Sequence, residues 1–265
     1  MKNLSKWLET IRISMSKVMA YRLNFLLQII GPTLVFYFIK YNLWSSIFKD
    51  DPMKEIGGYT LATMLAYHTW GLLVELLASG YTAMNLSEDI RLGRISTYLI
   101  YPFNFWEFHT ASFIGFQITQ LFIALVTFIA VALSGLIDVP SVMLVIKGLG
   151  FTLAISFMWF AMNYGIGLMA FWLEETWILK VILMVIASFL SGGIIPLELF
   201  PKWLSAILEW TPFPYMSYYP VKIFMGYEPN YMQAFVTCGS WFAFFLIFNA
   251  FIWKRGMKLY TAAGM

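Results

Sequence analysis

Long apolar stretches alternate with short polar ones along almost the whole chain. Stretches with at most one Asp, Glu, Lys or Arg occupy residues 23–39, 56–83, 108–137, 148–173, 181–197 and 230–253, and the first continues past Lys40 to Trp44. A helix that crosses a bilayer needs about 20 mostly apolar residues. The pattern therefore predicts an all-α integral membrane protein with six transmembrane helices in one domain, residues 1–265, whose six-span region covers residues 23–253.

The first 22 residues show a different period. Apolar residues recur there at spacings of three and four, as on one face of a helix, at Leu4, Trp7, Leu8, Ile11, Met15, Val18 and Met19. Lysines and an arginine supply a cationic side. Residues 1–22 are therefore predicted to form an amphipathic helix along the headgroups of an anionic leaflet. The alternative is that they are the first turns of a longer transmembrane helix.

Composition and charge agree with a membrane location and set the orientation. Charged residues make up 12% of the chain, whereas a soluble domain averages about 25%. Six spans place both termini on one side, and the excess of Lys and Arg indicates the cytoplasmic side. With the N-terminus inside, eleven of the 17 basic residues fall on the cytoplasmic side. Both termini, including a tail of residues 254–265, are thus predicted to be cytoplasmic.

A compact charged stretch, MNLSEDIRLGRISTYLIYPFNF (residues 84–105), lies between the second and third predicted spans. Ser87 can cap a helix start there, and two acids would follow in the first turn, where the helix dipole favours negative charge. Two arginines three residues apart would share a face, two apolar residues would face a packing surface, and a glycine would permit close approach of another backbone. These residues are Glu88, Asp89, Arg91, Arg94, Ile95, Leu99 and Gly93. The alternative is a solvated loop whose arginines only anchor the topology.

A second informative stretch, SGGIIPLELFPKWLSAILEWTPFPYMSYYPVKIFMG (residues 191–226), follows the fifth predicted span. Its prolines exclude one long helix, and its aromatic residues suit a membrane–water boundary. The stretch predicts one or two short re-entrant helices that dip into the outer leaflet, or else a structured loop with an aromatic belt. The residues that define it are Gly192, Gly193, Pro196, Pro201, Trp203, Pro212 and Pro214.

Glu75 is the one acid well inside a predicted span, where an ionisable side chain is costly and faces the protein interior or water. His68 lies seven residues earlier, about two helical turns away and so on roughly the same face. Two interpretations stay open. The two residues line one translocation path, or they are two packed polar groups.

The sequence lacks the residues that several kinds of chemistry require. The sequence has no G-x-x-x-x-G-K-[ST] phosphate loop, so the chain is not expected to hydrolyse ATP by that mechanism. It has two histidines, one cysteine (Cys238) in an apolar run, and no cluster of acids spaced for a metal. We therefore expect no enzymatic activity of its own, with no catalytic residue, no bound cofactor and no metal site. The sequence also has no stripe of basic residues, so we expect no nucleic-acid partner.

Together these stretches resemble the membrane-spanning subunit of ABC-2-type ABC transporters. EDIRLGRISTYLIYPFNF after span two is similar to a family loop with an acidic residue, Arg, Gly, Leu and Pro in that order. SGGIIPLELFPKWLSAILEWTPFPYMSYYPVKIFMG after span five is similar to the family's Ser-Gly…Pro…Pro-x-Trp…Thr-Pro…Pro signature. MAYRLNFLLQII is similar to the amphipathic helix that joins span one through a Tyr-Arg pair. The resemblance covers nearly the whole chain and is closest to a bacterial six-span branch.

The resemblance implies a permease subunit in a complex of two permeases and two separate cytoplasmic ATPase subunits, which use ATP and Mg²⁺. It implies that the charged stretch after span two is a coupling helix that sits in a groove of the ATPase. Export across the bacterial inner (plasma) membrane is then the expected function. A second, non-identical permease is the preferred partner within the lipid bilayer. The alternative is an ion-coupled secondary transporter that uses Glu75 and His68.

Overall fold

The computed structural model describes residues 2–20, 34, 38–49, 54–78, 84–100, 103–135, 137–228 and 230–260. Within these residues the regular elements are helices, apart from one isolated antiparallel bridge between Ile56 and Tyr59. The all-α prediction is thus confirmed for this part of the chain. Most of the first predicted span, the end of the second (79–83) and the end of the predicted tail (261–265) lie outside the described residues.

The described helices are numbered α1 to α11 in chain order. They are α1 (Lys2–Ala20), α2 (38–47), α3 (Leu61–Ala78), α4 (Met84–Arg91), α5 (Ile95–Ile100), α6 (Phe105–Leu133), α7 (Val142–Leu168), α8 (Trp177–Leu190), α9 (Lys202–Leu208), α10 (Tyr218–Phe224) and α11 (Tyr231–Gly256). Short 3₁₀ helices cover Met169–Phe171, Leu197–Leu199 and Pro214–Met216.

Four of the described helices have the length and hydropathy that a membrane crossing requires. They are α3, α6, α7 with its 3₁₀ continuation to Phe171, and α11. They correspond to the second, third, fourth and sixth predicted spans. α8 is apolar but has 14 residues, fewer than the about 20 that a crossing helix needs. The count of six spans therefore stays a prediction.

Capping groups and glycine turns set helix ends that hydropathy alone misplaced. α6 begins three residues before the predicted third span because Asn104 and Glu107 form a reciprocal capping box. α3 begins five residues after the predicted start of the second span, since Gly57 and Gly58, with φ of 60° and 83°, make a tight turn. α8 ends seven residues before the predicted position 197, just ahead of Gly192, whose φ is 80°.

The start of α7 also differs from its prediction. The predicted span began at residue 148 because Lys147 interrupts the apolar run. The helix begins six residues earlier, where the Ser141 hydroxyl accepts a hydrogen bond from a backbone N–H of the first turn. The Lys147 ammonium lies 3.1 Å from the carboxylate of Glu228. A long lysine side chain can thus sit on an apolar helix while its charge reaches a partner elsewhere.

α7 lies at the centre of the bundle and contacts α3, α4, α8, α10 and α11. Three clusters of buried apolar residues surround it along its length. In the cluster near its start, the ring of Trp70 on α3 stacks on Phe224 of α10 at 4.7 Å. In the cluster near its end, Tyr164 packs with Phe105 of α6 and Ile252 of α11. The central helix therefore links the two ends of the molecule.

α1 packs along α6. A Cβ atom at Gly115 of α6 would lie 2.7 Å from the main-chain oxygen of Ile11, so the glycine permits close approach of the two helices. Trp7 packs edge-on against Phe103 at 5.8 Å, while Leu8 stays exposed. The N-terminal helix is confirmed over Lys2–Ala20, and its position along a membrane surface stays a prediction.

Candidate functional site

Two short helices, α4 and α5, form the charged stretch between α3 and α6, with a turn at residues 92–94 between them. The helical interpretation therefore describes this stretch better than a loop. The predicted helix start at Ser87 is wrong, because α4 begins three residues earlier and Ser87 lies inside it. The arginines do not share a helical face either, since Arg91 ends α4 and Arg94 lies in the turn. We call residues 84–100 the inter-span segment.

Buried apolar residues anchor the inter-span segment to the bundle. Leu86, Ile90 and Ile95 are at most 5% exposed and share one cluster with residues of α6, α7 and α11. Gly167 on α7 leaves room for Leu86, because an added Cβ would overlap the leucine side chain. Full burial of such a side chain contributes about 1.5–3 kcal/mol. Packing therefore holds the segment in place. Leu99 lies on α5, and its predicted packing role stays a prediction.

Gly93 gives the turn its shape. Its φ of 69° lies in the left-handed region that favours glycine. Its carbonyl oxygen accepts hydrogen bonds from the hydroxyls of Ser96 at 2.6 Å and Tyr260 at 2.5 Å. Tyr260 follows α11, so these bonds fasten the end of the last helix to the turn. Sequence reasoning missed Tyr260 because it lies 167 residues from Gly93 and no local pattern marks it.

Polar contacts join α4 to the turn between α7 and α8. Arg91 forms an ion pair with Glu175 at 2.9 Å. The Thr176 hydroxyl donates a hydrogen bond to the Ser87 hydroxyl at 2.8 Å. The side chains of Arg91 and Glu175 are 48% and 56% exposed. Such an exposed pair contributes little to stability, and its charges are accessible to another molecule.

The remaining charges of the inter-span segment form a second group. Arg94 lies 3.4 Å from Glu88 and 3.5 Å from Asp89. Asp89 is 8% exposed and accepts a hydrogen bond from the Tyr98 hydroxyl at 3.0 Å. It therefore braces α4 against α5 instead of facing outward. Of the predicted charged residues, Glu88, Arg91 and Arg94 present their charge at the surface.

A cleft of about 200 Å³ opens beside the inter-span segment, against α7 and the start of α8. Glu88 and Arg91 line it from α4, and Asn163 lines it from α7. Lys180 lines it from α8, and the Lys180 ammonium is buried with no hydrogen-bond partner among the described residues. Burial of an unpaired charge is costly. Glu174 and Glu175 also line the cleft, which therefore carries both acidic and basic groups.

His68 and Glu75, the two polar residues predicted along the second span, lie in different surroundings. His68 is 1% exposed, with Lys40 Nζ 2.9 Å and Trp44 Nε1 2.7 Å from its two ring nitrogens. Glu75 is exposed on the surface of the chain. Of these two residues, only His68 is thus a packed polar group. A translocation path shared by both residues stays a prediction.

The predicted re-entrant segment folds into a series of short helices, α9, α10 and two 3₁₀ helices. Six of its glycines and prolines lie between these helices or at their ends, at Gly192, Gly193, Pro196, Pro201, Pro212 and Pro214, and Pro220 lies in the first turn of α10. Trp203 on α9 is 66% exposed, as an aromatic residue at a membrane boundary would be. The short helices are confirmed, and their insertion into a leaflet stays a prediction.

One ionic cluster ties this segment to the turn before α3. The Glu198 carboxylate accepts hydrogen bonds from Lys222 at 2.8 Å, Tyr218 at 2.7 Å and Tyr59 at 3.2 Å. The Lys222 ammonium also lies 3.7 Å from the centre of the Tyr227 ring, a favourable cation–π arrangement. Burial by itself raises the pKa of Glu198, but the bonds from Lys222 and Tyr218 outweigh it and hold this pKa below its ordinary value. We call these five residues the Glu198 cluster.

Long apolar helices around a central α7 define a multi-pass α-helical membrane protein. The chain matches the model of the family described as "ABC-2 family transporter protein" over residues 34–264. This match covers most of the chain, which therefore belongs to the ABC-2 transporter membrane family. Such a chain is a permease component of an ABC transporter that associates with ABC ATPases and is not itself the catalytic part. A comparison with curated proteins gives no match.

Proposed function

We propose that this chain is one permease subunit of an ATP-driven exporter in the bacterial inner membrane, and that a separate ATPase transmits its motion through the inter-span segment. One observation carries the proposal. Buried leucine and isoleucine side chains mount the segment firmly on the bundle, while Glu88, Arg91 and Arg94 stay exposed. In the complex, two ATPase subunits use ATP and Mg²⁺, and a second, non-identical permease completes the membrane part.

The connections of the inter-span segment suit the transmission of motion. α4 is joined to the turn between α7 and α8 through Glu175 and Thr176. The turn at Gly93 is joined to the end of α11 through Tyr260. A displacement of the segment therefore moves α7, α8 and α11 together, because packed elements shift as units. A flexible loop would absorb the same displacement.

The charges at this surface also suit a protein partner. Arg91 and Arg94 offer guanidinium groups that can form paired hydrogen bonds with carboxylates. We therefore expect the ATPase to present acidic side chains to this surface. In this orientation both termini face the cytoplasm, in agreement with the bias of basic residues.

Charge reversal tests the proposal. Arg91→Glu combined with Arg94→Glu should abolish co-purification of the ATPase and ATP-dependent transport, because like charges would face each other across the joint. Membrane insertion and thermal stability should stay unchanged, since both arginines are about half exposed. Lys147→Glu, a charge reversal of one residue near the other end of α7, is the control. Normal ATPase binding and transport in the double variant would overturn the proposal.

A swapped ion pair separates docking from an internal role of Arg91. Arg91→Glu combined with Glu175→Arg keeps opposite charges at the 2.9 Å contact but reverses the charges that a partner meets. We expect ATPase binding to stay lost in the swapped variant. Restored binding would show that Arg91 acts only by holding the α7–α8 turn.

Two further measurements test the subunit composition of the complex and the energy source and direction of transport. The stoichiometry of the purified complex should show two ATPase subunits with two different permeases. Inside-out vesicles should accumulate cargo only with ATP, as export requires. Transport driven by an ion gradient without ATP, and abolished by Glu75→Gln, would instead favour the secondary transporter.

A further inference from the structure

A buried polar network joins α2, α3 and the glycines that follow α8. Lys40 Nζ lies 2.9 Å from Nδ1 of His68 and 2.5 Å from the carbonyl oxygen of Gly193. The indole nitrogen of Trp44 lies 2.7 Å from Nε2 of the same histidine. Lys40, Trp44 and His68 are 8%, 4% and 1% exposed. We call these three residues the Lys40–His68 network.

The donors and acceptors of this network fix the positions of its protons. The Trp44 indole can only donate, so Nε2 of His68 must accept and carries no hydrogen. A neutral imidazole then holds its one hydrogen on Nδ1, and this hydrogen points at Lys40 Nζ. An ammonium has no acceptor. Both contacts therefore exist together only when Lys40 is a neutral amine, which accepts from His68 and donates to Gly193.

We propose that Lys40 and His68 form a proton-binding site in which uptake of one proton releases α2 from α3. A proton added to His68 places a hydrogen on Nε2, directly opposite the Trp44 N–H. A proton added to Lys40 leaves two donors facing each other across the 2.9 Å contact. The hydrogen of the histidine can move to Nε2 to relieve this clash, but it then opposes Trp44. In each case His68 loses one of its two hydrogen bonds.

The groups around the network set how readily it takes the proton. Glu75, from the same helix as His68, is a charged group that interacts electrostatically with Lys40. The rings of Trp44 and Tyr67 cover the imidazole, at 5.8 Å and 5.4 Å between centroids. They keep water away and disfavour a charge on it. The Tyr67 hydroxyl donates to the carbonyl oxygen of Gly192 at 2.8 Å, so the network adjoins a second tie to the same glycine turn.

Nitrogen NMR of the full chain in lipid vesicles tests this assignment directly. The chain has two histidines, so ¹⁵N-histidine labelling gives signals from two rings and His109→Phe leaves His68 alone. At neutral pH we expect the Nδ1–H form with an unprotonated Nε2, the less common form of free histidine. As the pH is lowered, this form should disappear and both nitrogens should become protonated. An Nε2–H form or a fully protonated ring in the native chain at neutral pH would overturn the proposal.

Variants of the two neighbours make the test specific. Trp44→Phe removes only the donor to Nε2, and the ring should then change to the Nε2–H form at neutral pH. Lys40→Met keeps Trp44, and the ring should stay in the Nδ1–H form. The same ring form in native and Trp44→Phe chains would contradict the donor count.

Hydrogen exchange measures the consequence for the helices. The intrinsic exchange rate of a backbone amide changes with pH in a known way. Relative to this intrinsic rate, the amides of residues 38–47 should exchange faster as the pH falls, while those of α11 should not. His68→Leu removes the histidine of the site, so exchange in α2 should be fast at every pH and show no additional step. Equal protection of α2 in native chains on both sides of the His68 titration would show that the proton does not release the helix.

Discussion

The Glu198 cluster and the inter-span segment lie at opposite ends of α7 and use their charges in different ways. Glu198 accepts three hydrogen bonds, and the side chains of Glu198 and Lys222 are 30% and 12% exposed. Arg91 and Glu175 in the other region form one pair of similar length but are 48% and 56% exposed. The two regions therefore differ in burial and in the number of hydrogen bonds, not in the length of their ion pairs.

The comparison separates structural charges from charges available to a partner. In a partly buried pair whose hydrogen bonds are satisfied within the chain, no charged group is available to bind another molecule. The loss of one member of such a pair leaves a costly unpaired charge. An exposed pair adds less than about 1 kcal/mol and can exchange its partner for another molecule at little cost. The inter-span segment has its strong interactions in its apolar contacts, so its charges are free to serve docking.

Removal of the carboxylate at Glu198 should have the largest effect on stability. Glu198→Ala leaves the Lys222 ammonium, 12% exposed, without its counter-charge. Loss of one member of a fully buried pair costs about 3–5 kcal/mol, and the partial exposure here reduces this to about 2–3 kcal/mol. Denaturation in mixed micelles should measure it. Glu228→Ala removes the acid of a more exposed pair, 37% and 68% for Lys147 and Glu228, and should cost less than about 1 kcal/mol. Equal losses would contradict the comparison.

The next effect should come from the packing beneath the inter-span segment. Gly167→Ala places a methyl group where the Leu86 side chain lies, and such overpacking costs about 1–3 kcal/mol. ATPase-coupled transport should fall together with stability, because α4 is displaced from α7. Gly150→Ala, on the same helix, meets no atom within 4 Å and should leave stability unchanged or raise it slightly. Normal coupling in Gly167→Ala would show that the position of α4 matters little.

Acidification should weaken the Glu198 cluster by a smaller amount. The pKa of Glu198 in the folded chain is held below its ordinary value of 4.5. Its contribution is therefore fully present above pH 4.5 and is lost as the pH falls through the lower folded pKa. Denaturation of the native chain across this acid range should show a loss that is absent in Glu198→Gln. Identical pH profiles for the two chains would show that Glu198 does not contribute in this way.

Loss of the Tyr260 hydroxyl should lower the free energy of unfolding by about as much as the loss of one hydrogen bond. Tyr260→Phe removes the donor to the Gly93 carbonyl oxygen and the contact with Ser96, which should cost about 1 kcal/mol and reduce coupled transport. Tyr231→Phe is the control, because the Tyr231 hydroxyl is buried without a hydrogen-bond partner in the described residues. The control should be neutral or slightly stabilising in the same denaturation experiment.

The smallest change in stability should follow removal of an exposed arginine. Arg91→Ala should lower the free energy of unfolding by less than about 1 kcal/mol, because the pair with Glu175 is half exposed. Its effect on ATPase affinity should be much larger, since the guanidinium is proposed to contact the partner. Titration of the purified ATPase against vesicles of the variant measures this affinity. A stability loss as large as that of Glu198→Ala would remove the distinction between the two regions.

Local sequence patterns predicted the elements better than their ends. The apolar stretches located α3, α6, α7 and α11, and the prolines of residues 191–226 indicated short helices there. The start of α4 was misplaced at Ser87, a residue type that caps helices in isolation. In the folded chain its hydroxyl instead accepts from Thr176 on a neighbouring turn. A local capping preference of about 1 kcal/mol is small enough for such a tertiary contact to replace.

By itself the sequence determined the membrane class, the positions of the apolar helices, the resemblance to ABC-2 permeases and the place of the charged inter-span stretch. These features depend on composition and on residues close together in the chain, which period and hydropathy can detect. Only the tertiary structure decided which charges are buried and which are exposed. Lys222 meets Glu198 and Tyr59 across 24 and 163 residues, and Tyr260 meets Gly93 across 167. Such pairings arise because packing of the helices brings distant residues together, and no local pattern of the chain encodes them.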